Sequence, residues 1–409
     1  MTRLRLLASI GAGGVVFMTP MVFHAIDFSA SQVGSGLALS ALVGTVVRFL
    51  CGALLDRGLT CSWPVRITTV LAVLADVVLF RANSYGGFVM GEILLGSAAG
   101  LYWPAIELAV PLSCGSVPSS RGYALVRSAD ALGFGLGALF GSLCAWFGML
   151  RLVYGVEAIC MIAVLVLISL FPLLDERSSS LEQRLKPNQE RRLKLSWLLP
   201  LLPVLAISIV ATGILSLEQS ALPIDLVRGG LQRPGLSETS SGGLIALQLS
   251  LLVMLQWPVG RWLAERSVGF GLGLSLSCFS LACLLLGLSS LMSAGTSLVV
   301  LALLPMALAQ AAFLPTATEA VIEETPPEHR GLAMALFSQC FAISAVVAPL
   351  LGGTVLDQQG HGLLLWIGMA LACLAMLPTA SQLRPRFDSS GSQEQLVDAV
   401  TGNPGPFGS

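Results

Sequence analysis

Charge is what this sequence lacks. Only 11% of its 409 residues are Asp, Glu, Lys or Arg, against roughly 25% in an ordinary soluble domain. With 55% of the chain hydrophobic, a water-soluble surface cannot be assembled, and the same imbalance excludes disorder. No excess of positive charge exists either: 22 Lys and Arg face 23 Asp and Glu, for a net charge of -1. A nucleic-acid partner is thereby excluded. Lysine is nearly absent, with Lys186 and Lys194 the two present, so no Gly-x-x-x-x-Gly-Lys phosphate loop can be drawn and no ATPase is expected. Three His and nine Cys, without a C-x-x-C pair or ligand spacing, give no metal centre, no disulfide framework and no enzyme. No cofactor is expected.

What the sequence has is long apolar runs, such as 152–174 and 198–217. A bilayer core of ~30 Å needs ~20 such residues per helix, whereas a membrane barrel alternates its polarity every second residue. The chain is therefore expected to be an all-α integral membrane protein. Runs broken by Pro, Gly and charge predict twelve spans near 5–25, 32–55, 63–82, 85–112, 122–147, 151–173, 197–222, 239–262, 268–290, 296–321, 331–356 and 361–382. The basic start Arg3-Leu4-Arg5 imitates a signal peptide but is read as an uncleaved first helix. One charged segment interrupts the series. It predicts a six-helix bundle over 1–174, a cytoplasmic linker over 175–196, a second bundle over 197–383 and a disordered cytoplasmic tail over 384–409. Sixteen of the 22 basic residues, six of them in the linker, fall on the side of the termini and four on the other. The positive-inside rule then places both termini in the cytoplasm. A bacterial inner membrane is the expected location.

The two halves repeat. Asp56-Arg57 after span two and Glu265-Arg266 after span eight are separated by 209 residues, as are Arg121-Gly122 and Arg330-Gly331 at the starts of spans five and eleven. Pro104 and Glu107 of span four match Pro315 and Glu319 of span ten, and Ile26-Asp27 matches Ile224-Asp225. Equal offsets on equal sides of the membrane predict parallel repeats about an axis along the membrane normal.

These residues carry a family resemblance. Gly52-Ala53-Leu54-Leu55-Asp56-Arg57-Gly58 resembles the G-x-L-x-D-R-x-G signature of the major facilitator superfamily, and Pro327-Glu328-His329-Arg330-Gly331 resembles its P-x-x-R-G junction. The resemblance covers the chain except its tail and extends to the drug:proton antiporter-like branch. Departures accompany it: Leu59, Thr60 and Cys61 stand where further Gly and basic residues are usual, and Ala138 and Ser142 interrupt the Gly-Pro pattern of span five. The resemblance implies alternating access around a cavity lined by spans one, four, seven and ten. It also implies gating roles for Gly52, Asp56, Arg57, Arg121, Glu265, Arg266 and Arg330.

Nine ionisable residues fall within the predicted spans: Arg48, Asp76, Glu92, Glu107, Arg127, Asp130, Glu157, Glu218 and Glu319. At roughly 2.5–3.5 kcal/mol each at a helix centre, lipid exposure of all nine would exceed the ~5–15 kcal/mol that holds a protein folded. Most must face protein or water. Glu92, Gly96, Gly100, Trp103 and Glu107 share one face of span four, which either packs on a neighbour or lines the cavity. Glu107 and Glu319, equivalent in the repeats, are expected to meet near the cavity. Two carboxylates in low dielectric cannot both stay ionised cheaply, which suits one to proton coupling. Glu92 and Glu218 are further cavity candidates, and Trp103 a surface on which a substrate can stack. Arg127 and Asp130, three residues apart, can pair; with Arg48 they form either a structural ion-pair cluster or an anion site. Asp76 and Glu157 are read as contacts between peripheral helices.

Three functions follow. Acidic candidate cavity helices without Lys or Arg favour a secondary transporter performing proton-coupled efflux of neutral or cationic compounds. Arg48 and Arg127 instead suit proton-coupled uptake of a sugar-like or anionic solute. A non-transporting scaffold or sensor on the same fold is the third. The expected partners are a small-molecule substrate, a proton and the lipid bilayer, with the chain a monomer.

Overall fold

A computed structural model of the chain describes residues 1–113, 119–173, 197–326 and 329–383. The proposed linker and tail therefore lie outside the described residues, as do the side chains of Asp56, Arg121, Arg127 and Arg330.

The helices are α1 (Thr2–His24), α2 (Ala30–Asp56), α3 (Ser62–Arg81), α4 (Tyr85–Ser113), α5 (Ser119–Trp146), α6 (Leu152–Leu170), α7 (Leu198–Ser220), the short α8 (Leu222–Arg228), α9 (Glu238–Leu263), α10 (Val268–Ser289), α11 (Gly295–Glu323), α12 (Arg330–Gln359) and α13 (Leu363–Ser381). Among the described residues, twelve of them are long and apolar enough to span a bilayer. They coincide with the twelve predicted runs. The addition is α8, which occupies what reads in sequence as the loop after span seven. Pro223 starts it, at a position where a helix tolerates a residue without an N–H.

The repeat is visible in the packing. In the first half α1 packs on α5 and α6, α2 on α4, and α3 on α4 and α6. In the second half α7 packs on α12 and α13, α9 on α11, and α10 on α11 and α13. The two sets are the same pattern with α8 passed over. Close approach within the first half is made by small residues. A Cβ added at Gly96 would overlap the Ser40 carbonyl oxygen, and one at Gly44 would lie 2.8 Å from the Gly96 carbonyl oxygen. The glycine stripe of α4 is thus the contact with α2, where backbones touch. Gly133 and Gly137 of α5 do the same against α1.

The halves meet through α2 against α12 and α5 against α9. Several contacts tie them at the end opposite the termini. Gly34 lies against Pro349, Gly353 against Ala30, and Gly242 against Ser142. The polar part of this seam follows from the start of α2. Four N–H groups open a helix without intrahelical partners. Ser29 and Gln32 form a reciprocal capping box there. The N–H groups of Ala30 and Ser31 donate instead to the two oxygens of Asp357 in the other half, at 3.0 and 2.7 Å. Arg228 of α8 also donates to Asp357, at 2.9 Å, and to the Leu356 carbonyl. Its Nε lies 3.4 Å from His24 Nε2 in the first half. Asp357→Ala removes the acceptor common to these three donors and should open this end. Labelling of a Val33→Cys reporter, buried next to Gly34, by an impermeant thiol reagent is expected to rise several-fold over its rate with Asp357 intact.

Candidate functional site

Two polar clusters lie inside the helices, one in each half. The first is built on Arg5, one turn into α1. This residue is 1% exposed. It donates through Nε and Nη2 to the two oxygens of Asp130 on α5, the second at 2.6 Å. Ser9, one turn further along the same face of α1, donates to Asp130 at 2.8 Å. The Arg5 guanidinium also lies 4.2 Å from the centre of the Trp103 ring and 5.6 Å from that of Tyr102, a cation–π contact that its desolvation strengthens. Glu107 acts electrostatically on Arg5 and on Arg48 of α2. Arg5, Trp103, Glu107, Arg48 and Asp130 therefore form one network near the end that bears the termini.

The structure adds to the sequence reading at three points. Asp130 is held by Arg5 on another helix, whereas spacing alone pointed to Arg127. Trp103 stacks against a guanidinium, so that contact engages the ring proposed for a substrate. Arg5, counted as a flanking basic residue, is a central member. The clue available was Ser9, which puts a second polar residue one turn away on an otherwise apolar helix.

The second cluster is built on Glu218, 4% exposed near the end of α7. Gln248 of α9 donates to its Oε1 at 2.7 Å, and Gln310 of α11 donates to its Oε2. The carboxylate is thus held by two carboxamides from two other spans, both buried. Sequence reasoning found Glu218 and missed both glutamines, although each is an uncharged polar residue inside an apolar span. Glu319, half-buried on α11, lies further along the helix that carries Gln310.

The remaining predicted residues are spread out. Glu92 is inside the first half, beside Ser40 and Glu157. Gly52 faces open space, with nothing within 4 Å of an added Cβ. Arg57, Glu265 and Arg266 are exposed at the ends of α2 and α9, where Arg266 lies over Trp262 and Phe270. Asp225 in α8 is fully buried and accepts from Arg233, from the Gly362 N–H and from the Trp366 indole N–H. This pins the α8 segment to the start of α13. Among the described residues no group of His, Cys, Asp and Glu could hold a metal.

A family model described as the Major Facilitator Superfamily matches residues 4–266 and 219–396. The chain belongs to the Major Facilitator Superfamily. With twelve helices long and apolar enough to span a bilayer among the described residues, it is an integral membrane protein. A relative within the superfamily is the multidrug export protein EmrB of Escherichia coli (strain K12), 24% identical over 165 residues, which are 40% of this chain. The match spans only 31% of that relative's length. The fold is shared with the nucleoside transporter NupG at a TM-score of 0.75 and 13% identity, covering 93% of this chain and 97% of the other. It is shared also with a POT family transporter in complex with 5-aminolevulinic acid, again at 0.75 but with 11% identity, covering 93% and 95%. Both likenesses are likenesses of fold.

The first cluster makes a stability prediction. Asp130→Ala leaves the Arg5 guanidinium buried without its counter-charge, a change that typically costs about 3–5 kcal/mol. The melting temperature of the purified protein in detergent should fall accordingly. Replacing the pair together, as Arg5→Met with Asp130→Leu, should recover most of the loss.

Proposed function

We propose that this chain is a proton-coupled importer of a small, uncharged, sugar-like solute, with Glu218 as the residue that takes and releases the coupling proton. The observation that carries this reading is the pair of carboxamides around Glu218. A carboxamide has a donor end and an acceptor end. With Glu218 ionised, both amides donate to it, as the geometry has them. With Glu218 protonated, its O–H needs an acceptor, and one amide supplies it by turning over. The site therefore satisfies both charge states without rearranging a helix, which an arginine partner would not permit. Three spans that converge on one carboxyl also bring amide donors and acceptors to bear on hydroxyl groups of a solute, whereas an anion would be repelled.

The distribution of basic residues supports termini in the cytoplasm of a bacterial cell. On that orientation the seam at Asp357 ties the halves together at the outer end. The nucleoside transporter and the POT family transporter that share the fold support carriage of a small organic solute by analogy of architecture only. A second reading, export of cationic compounds, is favoured by the segment resembling the multidrug export protein and by the amide rather than arginine partners of Glu218.

Purified protein in liposomes decides between them. Under a proton gradient acid on the outer side, a sugar or nucleoside should accumulate. Glu218→Gln should abolish that accumulation and leave exchange at equal concentrations within about threefold. Uphill uptake that survives Glu218→Gln with its pH dependence intact overturns the role of Glu218. Proton-driven expulsion of a cationic dye, with no accumulation of neutral solutes, decides for export.

A further inference from the structure

Three acids lie at one depth in the first half, away from both clusters described above. Asp76 is five residues from the end of α3, Glu92 seven residues from the start of α4 and Glu157 five residues from the start of α6. At 1.5 Å per residue each sits about 8–11 Å inside the end opposite the termini. All three are 2% exposed. The carboxyl groups of Asp76 and Glu157 act on one another across the contact of α3 with α6. No donor among the described residues reaches either oxygen of Asp76, nor Oε2 of Glu157, nor Oε1 of Glu92. Among the described residues, the titratable groups that act on the pair are Glu92 from α4 and Tyr154 and Cys160 from α6, none of them a cation. Tyr154 is fully buried and its hydroxyl lies 3.1 Å from Thr19 Oγ1 of α1.

Two carboxylates have four acceptor oxygens and nothing to donate. A hydrogen bond between them exists only if one carries a proton. Left ionised, the pair would be two like charges in contact in a medium that cannot solvate them. We infer that Asp76 and Glu157 form a proton-binding site, in which one proton is held between their facing oxygens, with Glu92 as the adjacent acid. The transfer balances simply: one proton enters from water, one O–H bond forms, and the pair goes from two negative charges to one. The inference does not rest on Glu218, which lies in the other half.

The wall over this site is thin. Gly11 of α1 packs directly on Glu157, so that a Cβ there would lie 3.1 Å from its Cα and 3.2 Å from its Cγ. The same helix contacts α7, α8 and α9 of the other half. The pair is therefore one helix away from the surfaces that move past one another, and displacement of α1 opens or closes its route to water.

Infrared spectroscopy of the full-length protein in lipid reads the shared proton directly. The wild type should show a protonated-carboxyl C=O stretch at neutral pH that shifts in heavy water. Asp76→Asn and Glu157→Gln should each remove that component, and Glu218→Gln should leave it. Asp76→Asn should also melt close to the wild-type temperature, because an amide N–H takes the place of the shared proton. The wild type should lose several degrees of melting temperature in alkaline buffer that Asp76→Asn does not lose. If neither variant removes a carboxyl component, the site is not protonated and the inference fails. It fails also if sodium at fixed pH raises the melting temperature of the wild type but of neither variant, since the pair then holds a metal ion. Should Asp76→Asn not fold, Glu157→Gln and the sodium comparison on the wild type decide the question.

Discussion

The joint at Asp357 is the polar part of the contact between the two six-helix halves, set beside a buried apolar cluster with residues from both. One carboxylate sits on the open N-terminus of α2 and accepts from Ala30 and Ser31. The helix end is a fixed partial positive charge, and a carboxylate there is stabilised by roughly 0.3–2 kcal/mol. The arrangement is directional, local and reversible. Around it the packing relies on Gly34 and Gly353, which let backbones meet without interlocking side chains. Nothing at those glycine contacts needs to be unthreaded when the halves part.

The charges in and beside the spans divide by the company they keep. Asp130, Asp225 and Asp357 are each paired with an arginine, Arg5, Arg233 and Arg228. Loss of any of these carboxylates would leave a cation without its partner. They are the fixed points of the fold: one in the first half, one in the second and one at the joint between them. Glu218 has amide partners, and Asp76 and Glu157 have each other. No cation is stranded when these take a proton. The division by partner separates what holds the structure from what can change state within it.

The spans, their number and the repeat are legible in the sequence because bilayer thickness imposes them on hydropathy, residue by residue. The acids inside the spans are legible for the same reason. Their partners are not. Gln248 and Gln310 raise no alarm in a hydropathy profile, yet they define the surroundings of Glu218. Arg5 is misread because a basic residue close to a helix start is the usual mark of a membrane boundary, and only the fold shows Asp130 beside it. Asp357 lies just beyond the expected end of span eleven. Pairing Arg127 with Asp130 is a reading of helical geometry that leaves out Arg5, a partner from another helix, and the Arg127 side chain itself lies outside the described residues. Spacing within one helix says which residues share a face, not what the face meets.

The seam at Asp357 has a consequence for the medium in which the protein works. Its carboxylate and guanidinium side chains remain about one-fifth exposed, at 23% and 19%, so water and salt reach them. Parting the halves there draws the Asp357 carboxylate, with its Arg228 partner, away from the partial positive charge at the start of α2 across a widening wet gap. Over such distances dissolved ions take over the role of the lost partner, since the screening length is about 8 Å at physiological ionic strength. The balance between the closed and open forms is accordingly tied to the salinity on that side of the membrane, with dilute surroundings holding the seam shut and concentrated ones loosening it.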